Sequence, residues 1–469
     1  MKAEDNKNGT AGEAKKEKPM TLWGLAWPMM IETVLFMMLG MVDVLVMSRF
    51  DDLAASSVNT ANQAVSVVTI VFTVISGAGG ILITQYLGAE NKRAASRTAA
   101  LSIVLQLITG LVVSAALLLF SQPILGFIGA KGGVLEYAGQ YLSVVGGFLF
   151  LQAVLSAMSV IIRSHGQTKT PMLVTVGMNL INTLLDVILV PGLFGLPKMG
   201  VLGVAIATVI SRIAGAAVLA VIFFRTVEKP SVFRLLKPFP ARDIILFIKV
   251  GVPAALETFL YNLSQLVITS IVLNCMTEQE LIAKTYTQMI TVFFYIFSVS
   301  IGQASQILIG HLVGAGKYDE AKRQGFRAYG TALIIAMAAS GIGVILRVQL
   351  ISIFSTDAAV IETASNILLI NVLLELGRTT NLVLIASLRG AGDVLYPTIC
   401  AVFSNWTLSV GLSYLLAVVC GMGIYGLWAA LIADECFRGV LMLIRWRGGK
   451  WRQKTIARKE KLSSRQAEE

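Results

Sequence analysis

WPMMIETVLFMMLGMVDVLVMSRF, residues 27–50, is an apolar run long enough to cross a bilayer as one helix, which takes about 20 residues at ~1.5 Å each. It also carries two carboxylates, Glu32 and Asp43, at the depth of the lipid tails. Eleven positions at about 100° per residue place both acids on one face of the helix, ~16 Å apart along its axis. An ionisable side chain at the centre of a spanning helix costs at least ~2.5 kcal/mol, so it normally faces a bundle interior or a wet cavity. The run therefore predicts a path for ions or substrates through a helix bundle.

The composition of the whole chain is that of a multi-pass membrane protein. Its 469 residues are 56% hydrophobic and 14% charged with a mean hydropathy of +0.76, whereas a soluble globular chain is roughly 25% charged. Residues 1–19 are polar and lack the cleavage site of a signal peptide, so they predict a tail before an uncleaved first span. The four cysteines have no C-x-x-C spacing, and we expect neither a disulfide nor a metal site from them.

Twelve apolar segments of spanning length follow one another along the chain. They lie near residues 20–47, 62–86, 98–121, 136–161, 172–193, 201–225, 245–273, 283–310, 327–350, 362–387, 396–420 and 423–447. The connection after the sixth segment is long and basic, and it contains three prolines. The predicted organisation is a cytoplasmic tail at 1–19, an N-lobe at 20–225 (spans 1–6), a cytoplasmic linker at 226–244, a C-lobe at 245–447 (spans 7–12) and a basic cytoplasmic tail at 448–469.

Lysine and arginine are distributed unevenly between the two sets of loops. The loops after spans 2, 4, 6, 8 and 10 hold sixteen of them, whereas the six opposite loops hold five. Because cytoplasmic loops are enriched in these residues, the bias predicts that both termini lie in the cytoplasm. The expected location of the chain is the cell (inner) membrane. In a membrane protein the position of the basic residues matters more than their sum, so the net charge of +11 does not indicate a nucleic-acid partner.

The two halves of the chain repeat each other in sequence. The block Pro28-x-x-x-Glu32-Thr33 recurs as Pro253-x-x-x-Glu257-Thr258, displaced by 225 residues. Further blocks recur at a displacement of 226, among them Arg163, Gly166, Pro171 and Asn179, which return as Arg389, Gly392, Pro397 and Asn405. An even number of spans in each half makes the repeats parallel. We therefore predict an all-α polytopic fold of twelve transmembrane helices, in two six-helix lobes related by a pseudo-two-fold axis along the membrane normal.

These blocks resemble the MATE family of multidrug and toxic-compound extruders over nearly the whole chain. The resemblance rests on Pro28 and Asp43 in span 1, Gly88-Ala89 after span 2, Asn179-x-x-Asn182-x-x-x-Asp186 in span 5, the Pro-x-x-x-Glu motif of span 7 and the turn from Leu388 to Asp393. It implies a V-shaped pair of six-helix lobes that exchanges Na⁺ or H⁺ for organic, usually cationic, substrates. Members of one branch use acids in the N-terminal lobe, and members of another rely on a span 7 glutamate and a span 10 acid. This chain combines features of both.

The predicted ion site lies in the N-lobe. Asp43 and Asp186 are both in the outward part of their spans, at similar depth. Asn179, Asn182 and Asp186 follow i, i+3, i+7 spacing and share one face of span 5. Na⁺ prefers such carboxylate and amide oxygens, and two neighbouring carboxylates can alternatively hold a proton near neutrality. These four residues are the candidate ion ligands, with the two aspartates as metal ligands if the ion is Na⁺.

Five further residues are candidates for substrate binding or coupling, namely Glu257, Glu32, Glu375, Gln288 and Tyr261. Glu257 lies near mid-depth of span 7 with Tyr261 on its face, and Glu32 is its counterpart in the other half, either a relay acid or a structural partner. Gln288 is a neutral polar group expected to line the cleft.

Span 10 departs from the pattern that the resemblance implies. Arg378 stands where the acid is expected, with Glu375 one turn earlier. Such an i, i+3 pair either neutralises itself as a salt bridge or takes part in transport. Arg212 in span 6 and the group Asp434, Glu435 and Arg438 in span 12 are expected to tie helices together.

The leading interpretation is a secondary antiporter of the multidrug-efflux type, which exports organic cations in exchange for Na⁺ or H⁺ by alternating access. We expect a monomer surrounded by membrane lipid, with no cofactor other than the coupling ion. The alternative is a flippase for lipid-linked precursors, which needs a cationic cavity for pyrophosphate head groups. An enzyme is not expected, because the chain has no P-loop, no H-E-x-x-H motif and no nucleophile elbow.

Overall fold

The structure is a computed structural model that describes residues 20–456. The predicted tail at 1–19 and the final part of the C-terminal tail, 457–469, lie outside the described residues. The described chain is helical throughout its regular elements, with α1 (Leu22–Ser48), α2 (Asp52–Gly88), α3 (Lys92–Ile128), α4 (Gly132–Gly147), α5 (Leu149–Ser164), α6 (Lys169–Leu189), α7 (Val201–Thr226), α8 (Ala241–Cys275), α9 (Glu278–Gly314), α10 (Tyr318–Ile345), α11 (Arg347–Ser352), α12 (Ala358–Gly390), α13 (Leu395–Val419) and α14 (Gly423–Gly448). From Asn405 onward, α13 has wide π-helical turns.

Capping side chains fix where α2 and α9, one pair of repeat-related helices, begin. At the start of α2, the Asp51 carboxylate accepts a hydrogen bond from the backbone N–H of Leu53 at 2.8 Å. At the start of α9, Thr277 and Glu280 form a capping box. Such caps satisfy N–H groups that a helix leaves without partners. Both helices are 37 residues long, because capped polar turns extend the apolar segments that predicted them.

The helices confirm the all-α prediction and come close to its count of twelve spans. Ten of the described helices are individually long and apolar enough to cross a membrane, and α4 and α5, bent by 47°, form an eleventh span as a pair. The 26-residue α14 completes the set by length, but Asp434, Glu435 and Arg438 lower its hydropathy. Arg438 pairs with the two acids at 2.7 and 3.0 Å, so these charges compensate one another inside the bundle.

The helices form two lobes that each have an apolar core. The core formed by α1–α5 and α7 includes Tyr141 and Leu142, and the core formed by α8–α14 includes Ile268, Ile367 and Trp428. Between the lobes, the segment from the end of α7 to the start of α8 contains one short 3₁₀ helix, Pro230–Leu236. This segment, residues 227–240, lies within the predicted linker at 226–244, and α8 begins four residues before the predicted start of the C-lobe at 245. The position of the linker in the cytoplasm stays a prediction.

The lobes meet at the end of the molecule that holds the α2–α3 and α9–α10 turns. There the Gln85 side-chain amide donates to the backbone carbonyl of Gly390 at 2.9 Å. The His311 ring nitrogen Nε2 donates to the backbone carbonyl of Ser164 at 2.8 Å. Donor and acceptor are each displaced by 226 residues between the two bonds, so the repeat relates one bond to the other. The pair closes the end of the bundle where the basic loops lie.

Candidate ion site and central cavity

A buried polar pocket lies inside the N-lobe. Asp43 of α1 and Asp186 of α6 are 2% and 0% exposed. Tyr141 of α4 donates its hydroxyl hydrogen to Asp43 Oδ2 at 3.1 Å, and the Thr208 hydroxyl of α7 lies 3.4 Å from the same oxygen. Asn182, one turn before Asp186, donates to the Thr208 hydroxyl at 3.4 Å. These five side chains come from four helices, and we call the group the N-lobe pocket.

Four oxygens of the N-lobe pocket are buried and have no hydrogen-bond partner among the described residues. They are Asp43 Oδ1, Asn182 Oδ1 and both carboxylate oxygens of Asp186. The two carboxyl groups are also close enough to interact electrostatically with each other. Buried polar atoms normally have partners, and oxygens of this kind are the ligands that hard cations prefer. The pocket is therefore suited to hold a proton or a monovalent cation.

A guanidinium lies beside the pocket. Arg212 is on α7, one turn after Thr208, and is 7% exposed. It interacts electrostatically with Asp43 and Tyr141, but it makes no direct ion pair with any carboxylate in the part of the chain that the structure describes. Its Nε and Nη1 atoms are buried and lack hydrogen-bond partners within the same part. The sequence predicts a helix tie here, whereas the structure places the charge near Asp43 and Tyr141.

Tyr141 connects the pocket to a groove between α1 and α2. Its hydroxyl is 3.1 Å from Asn62 Oδ1 as well as from Asp43 Oδ2, and its single hydrogen can be donated to one of them at a time. Asn62 lines the groove together with Gly40 and Ser66, and the groove has a volume of about 590 Å³. A short chain of polar groups therefore leads from the groove to Asp43.

A second cavity, which we call the central cavity, has a volume of about 470 Å³. Its walls come from α1, α2, α5, α6 and α7 of the N-lobe and from α9 of the C-lobe. Polar side chains in its lining include Glu32, Gln152, Arg163, Asn179, Gln303 and Gln306. Its apolar lining includes Met29, Phe36, Met37, Leu155, Met178 and Leu219. Cavities of this size, mostly apolar with a few polar groups, are typical of small-molecule sites.

Glu32 lies in the wall of the central cavity and is paired with a base. Its Oε1 is 2.7 Å from the Arg163 guanidinium, which also lines the cavity. The other carboxylate oxygen, Oε2, is buried and has no hydrogen-bond partner among residues 20–456. Glu32 and Arg163 therefore neutralise each other's charge in the cavity wall, and Glu32 Oε2 remains a hydrogen-bond acceptor without a donor in the described chain. Because Glu32 and Asp43 are both on α1, this helix contributes to the cavity and to the N-lobe pocket.

The structure brings together three of the four predicted ion ligands. Asp43, Asp186 and Asn182 meet in the N-lobe pocket, whereas Asn179 lies in the wall of the central cavity. The Asn179 amide donates to the backbone carbonyl of Thr175 at 2.9 Å. Asn179 and Asp186 are separated by two turns of α6, and this length is enough to place them in different chambers.

Glu257 and Gln288 occupy different surroundings in the C-lobe. Glu257 pairs with Arg389 at 2.8 Å and accepts a hydrogen bond from the Thr398 hydroxyl at 3.0 Å. This ion pair is the repeat-related counterpart of the pair between Glu32 and Arg163. Gln288 is exposed and lines neither the groove nor the central cavity.

Glu375 and Arg378 form the salt bridge that the sequence leaves open as one alternative, at 2.9 Å. They are part of a larger group, the C-lobe charge network, which consists of Glu375, Arg378, Asp434, Glu435 and Arg438. The Arg378 guanidinium stacks over the Tyr295 ring at 5.0 Å, and the Tyr261 hydroxyl interacts electrostatically with the network. The network ties α12 to α14, as the sequence predicts for the span 12 group.

The sequence interpretation missed two members of the N-lobe pocket, Tyr141 and Thr208. Thr208 and Arg212 are spaced i, i+4 on one face of an otherwise apolar helix, and that pattern was the available signal. Tyr141 carried no local signal, because tyrosine is common near the ends of spanning helices for reasons unrelated to ion binding.

Comparisons with known proteins agree with the resemblance seen in the motifs. The MatE family model matches residues 28–188 and 253–415, once in each lobe. The chain is 35% identical to an uncharacterized transporter of Bacillus subtilis, YisQ, over 96% of this chain and 98% of that one. It is 29% identical to the probable multidrug resistance protein NorM of Thermotoga maritima, over 97% of this chain and 98% of that one.

Solved structures share the fold. The Vibrio cholerae MATE transporter VcmN in its bent form superimposes with a TM-score of 0.85 at 18% identity, over 93% of this chain and 97% of that one. A crystal structure of a MATE protein in the bent conformation gives 0.83 at 20% identity, over 91% and 94% of the two chains. These neighbours have two pseudo-symmetric lobes, as this chain does. Since the family model covers most of both lobes and the relatives match along nearly the whole chain, the protein belongs to the MatE family of membrane transporters.

Proposed function

We propose that this protein is a secondary antiporter that exports small organic cations in exchange for Na⁺ or H⁺. The observation that carries the proposal is the N-lobe pocket, where two carboxylates and an amide present four buried oxygens without partners in the described chain. Burying such groups is costly unless something binds them. The name of the Thermotoga relative, a probable multidrug resistance protein, supports export of foreign compounds as the direction of transport.

The coupling ion enters from the groove and binds between Asp43 and Asp186. Asn62 and the Tyr141 hydroxyl form the polar route, because both are hydrogen-bonded along the line from the groove to Asp43. Na⁺ would be held by the four unpartnered oxygens, whereas H⁺ would be shared by the two carboxyl groups. In both cases the ion lowers the charge of a buried site, which favours the occupied state.

Helix α1 couples the ion to the substrate. It carries Asp43 in the N-lobe pocket and Glu32 in the wall of the central cavity. A shift of α1 on ion binding therefore changes the shape of the cavity. Opening toward the cytoplasm requires the paired hydrogen bonds of Gln85 and His311 to break, since they hold the lobes together at that end.

The substrate binds in the central cavity. Its volume suits a small organic molecule, and the methionines in its wall can adapt to different shapes. The unpartnered Oε2 of Glu32 offers an acceptor for a positively charged or hydrogen-bond-donating group. A flippase of pyrophosphate-linked lipids is not favoured, because the arginine in the cavity lining, Arg163, is already paired with Glu32.

The protein acts as a multi-pass monomer in the cell membrane with both termini in the cytoplasm. The support for this orientation is the excess of lysine and arginine in the loops at the end that the lobes close. The lobe boundaries proposed at 20–225 and 245–447, and the tails that flank them, follow the same topology.

Flux measurements on purified protein in liposomes test the proposal. Outward Na⁺ and proton gradients, with the ion more concentrated inside the liposomes, are imposed separately while the movement of a dye cation such as ethidium is recorded. We expect one gradient to drive dye accumulation and Asp43→Asn to abolish it. Dye movement that is independent of both gradients, or that is unchanged in Asp43→Asn, would rule out the proposed ion site.

A further inference from the structure

Arg212 differs from four other buried or half-buried arginines of the helical bundle. Arg163, Arg378, Arg389 and Arg438 each make a direct ion pair, at 2.7, 2.9, 2.8 and 2.7 Å respectively. Arg212 is 7% exposed and interacts electrostatically with Asp43 of the N-lobe pocket, yet it makes no such pair with a described residue. Two of its nitrogens are buried without a partner in the described chain. A guanidinium that serves only as a helix tie would be expected to contact a carboxylate or carbonyl oxygen.

The repeat shows that Arg212 is not part of the scaffold that the two lobes share. The block Gly200-x-x-Gly203 recurs as Gly423-x-x-Gly426, displaced by 223, and this displacement carries Arg212 onto Glu435. The ion pair of Glu32 and Arg163 occurs in both halves of the chain, but an arginine at this position occurs only in the half that has the two aspartates. Arg212 is therefore associated with the N-lobe pocket and not with a feature that both repeats retain.

The charges of the site define how many ions it holds. Two carboxylates and one guanidinium leave one uncompensated negative charge, which a single monovalent cation neutralises. Without the guanidinium two cations would be required, because unbalanced charge in a low-dielectric interior is costly. We propose that Arg212 is an internal counter-ion that limits the N-lobe pocket to one monovalent cation per transport cycle. This inference rests on the proposed ion site and adds its stoichiometry.

Arg212 makes no direct ion pair with the aspartates, because such pairs would occupy the oxygens that the coupling ion needs. Its place one turn from Thr208, whose hydroxyl lies 3.4 Å from Asp43 Oδ2, puts the charge close enough to act through space. When the cation leaves, the free guanidinium nitrogens are the groups that can approach the carboxylates. Arg212 thus acts through Asp43 and Asp186 as a positioning residue and is not itself an ion ligand.

The test is a count of bound cations on purified protein. Bound ²²Na⁺ and protons taken up between about pH 9 and pH 5 are measured, and the values for an Asp43→Asn, Asp186→Asn double variant are subtracted. We expect a difference of about one cation for the parent and for Arg212→Lys, which keeps the charge, and about two for Arg212→Gln. The double variant Arg212→Gln, Asp186→Asn should return to about one cation, because the net charge of its pocket again is minus one.

The outcomes separate the two proposals. A parent that binds no more cations than the double aspartate variant overturns the ion site itself, and this inference with it. A parent count of one that stays at one in Arg212→Gln overturns the role of Arg212 and leaves the ion site intact. If Arg212→Gln does not fold, recovery of a monodisperse protein that binds one cation in Arg212→Gln, Asp186→Asn supports the counter-ion, and failure to recover contradicts it.

Discussion

The two lobes have different side chains at several repeat-related positions. At displacements of 225 and 226 residues, Asp43, Tyr141 and Asp186 of the N-lobe correspond to Ile268, Ile367 and Leu412 of the C-lobe. Asp43 and Tyr141 are 2% and 1% exposed, and their counterparts are 1% and 0% exposed. In the C-lobe Ile268 and Ile367 belong to an ordinary apolar core and Leu412 is half-buried, and no acid occurs on α8 beyond Glu257 or anywhere on α13. The fold therefore does not require polar side chains there, and the N-lobe keeps them at a cost in stability.

The ion pair of Glu32 with Arg163 and that of Glu257 with Arg389 are, by contrast, equivalent in the two lobes. Both halves keep them, at 2.7 and 2.8 Å. A feature that both repeats retain is consistent with a brace between helices, whereas a feature of one repeat is consistent with a specialised site. The comparison therefore supports the proposal that the N-lobe pocket couples the ion, and from it we expect a mainly structural role for Glu257.

The largest expected effect comes from removing one charge of the N-lobe pocket. Asp43→Asn keeps the volume and hydrogen-bonding groups of the side chain but removes a cation ligand. We expect ion-driven dye transport in liposomes to fall by more than about 100-fold, since even outer partners of a bound ion contribute about 10- to 100-fold. The matched control is Asp243→Asn, which removes a buried aspartate from an ion pair with Arg97 at 2.6 Å and should keep transport. Equal loss in both variants would contradict the special role of the pocket.

Replacing Asp43, Asp186 and Arg212 together by apolar residues should abolish transport and raise stability. The variant Asp43→Ile, Asp186→Leu, Arg212→Met replaces three buried charges together, so that none is left unpaired. We expect transport to be abolished while the free energy of unfolding rises by about 1–4 kcal/mol, as observed when buried charges are replaced by packed apolar side chains. Thermal midpoints in detergent measure the change. A lower midpoint than that of the parent would show that the pocket supports the fold.

The repeat-related ion pair of the C-lobe should affect stability rather than coupling. Glu257→Gln leaves the Arg389 charge without its carboxylate, and we expect a loss of about 1–3 kcal/mol, less than for a fully buried pair because the side chains are 14% and 26% exposed. Flux per folded molecule should stay within about twofold of the parent. The charge-swapped variant Glu257→Arg, Arg389→Glu should recover part of the lost stability. Loss of ion coupling in a stable Glu257→Gln protein would instead make Glu257 a transport residue.

The smallest expected effects come from substitutions of two asparagines of α6, Asn182 and Asn179, which should alter different binding steps. Asn182→Ala removes an oxygen from the N-lobe pocket, and we expect the affinity for the coupling ion to fall about 10-fold. Asn179→Ala alters the wall of the central cavity and should change the apparent affinity for the dye while leaving the ion affinity within about twofold. Flux titrated with ion and with dye distinguishes the two. A reversed pattern would contradict the separation of the two chambers.

Several parts of the candidate site were predictable because they depend on a single helix. Asp43 and Asp186 are acids in apolar spans, and that cost alone marks them. The i, i+4 relation of Asn182 to Asp186 also follows from one helix. The placement of Asn179 was not predictable in the same way, because the boundary between the pocket and the central cavity is formed by neighbouring helices.

The sequence by itself determined the helical class, the approximate spans, the duplication and the two aspartates at depth, because hydrophobicity and repeat spacing are local properties of the chain. The tertiary structure alone decided which charges are paired. Glu32 pairs with Arg163 and Asp43 contacts Tyr141 on helices far away in sequence, while Arg212 lies near Asp43 without a direct ion pair in the described chain. Such pairings depend on how helices pack against each other, and the residue pattern along a single helix does not predict this packing.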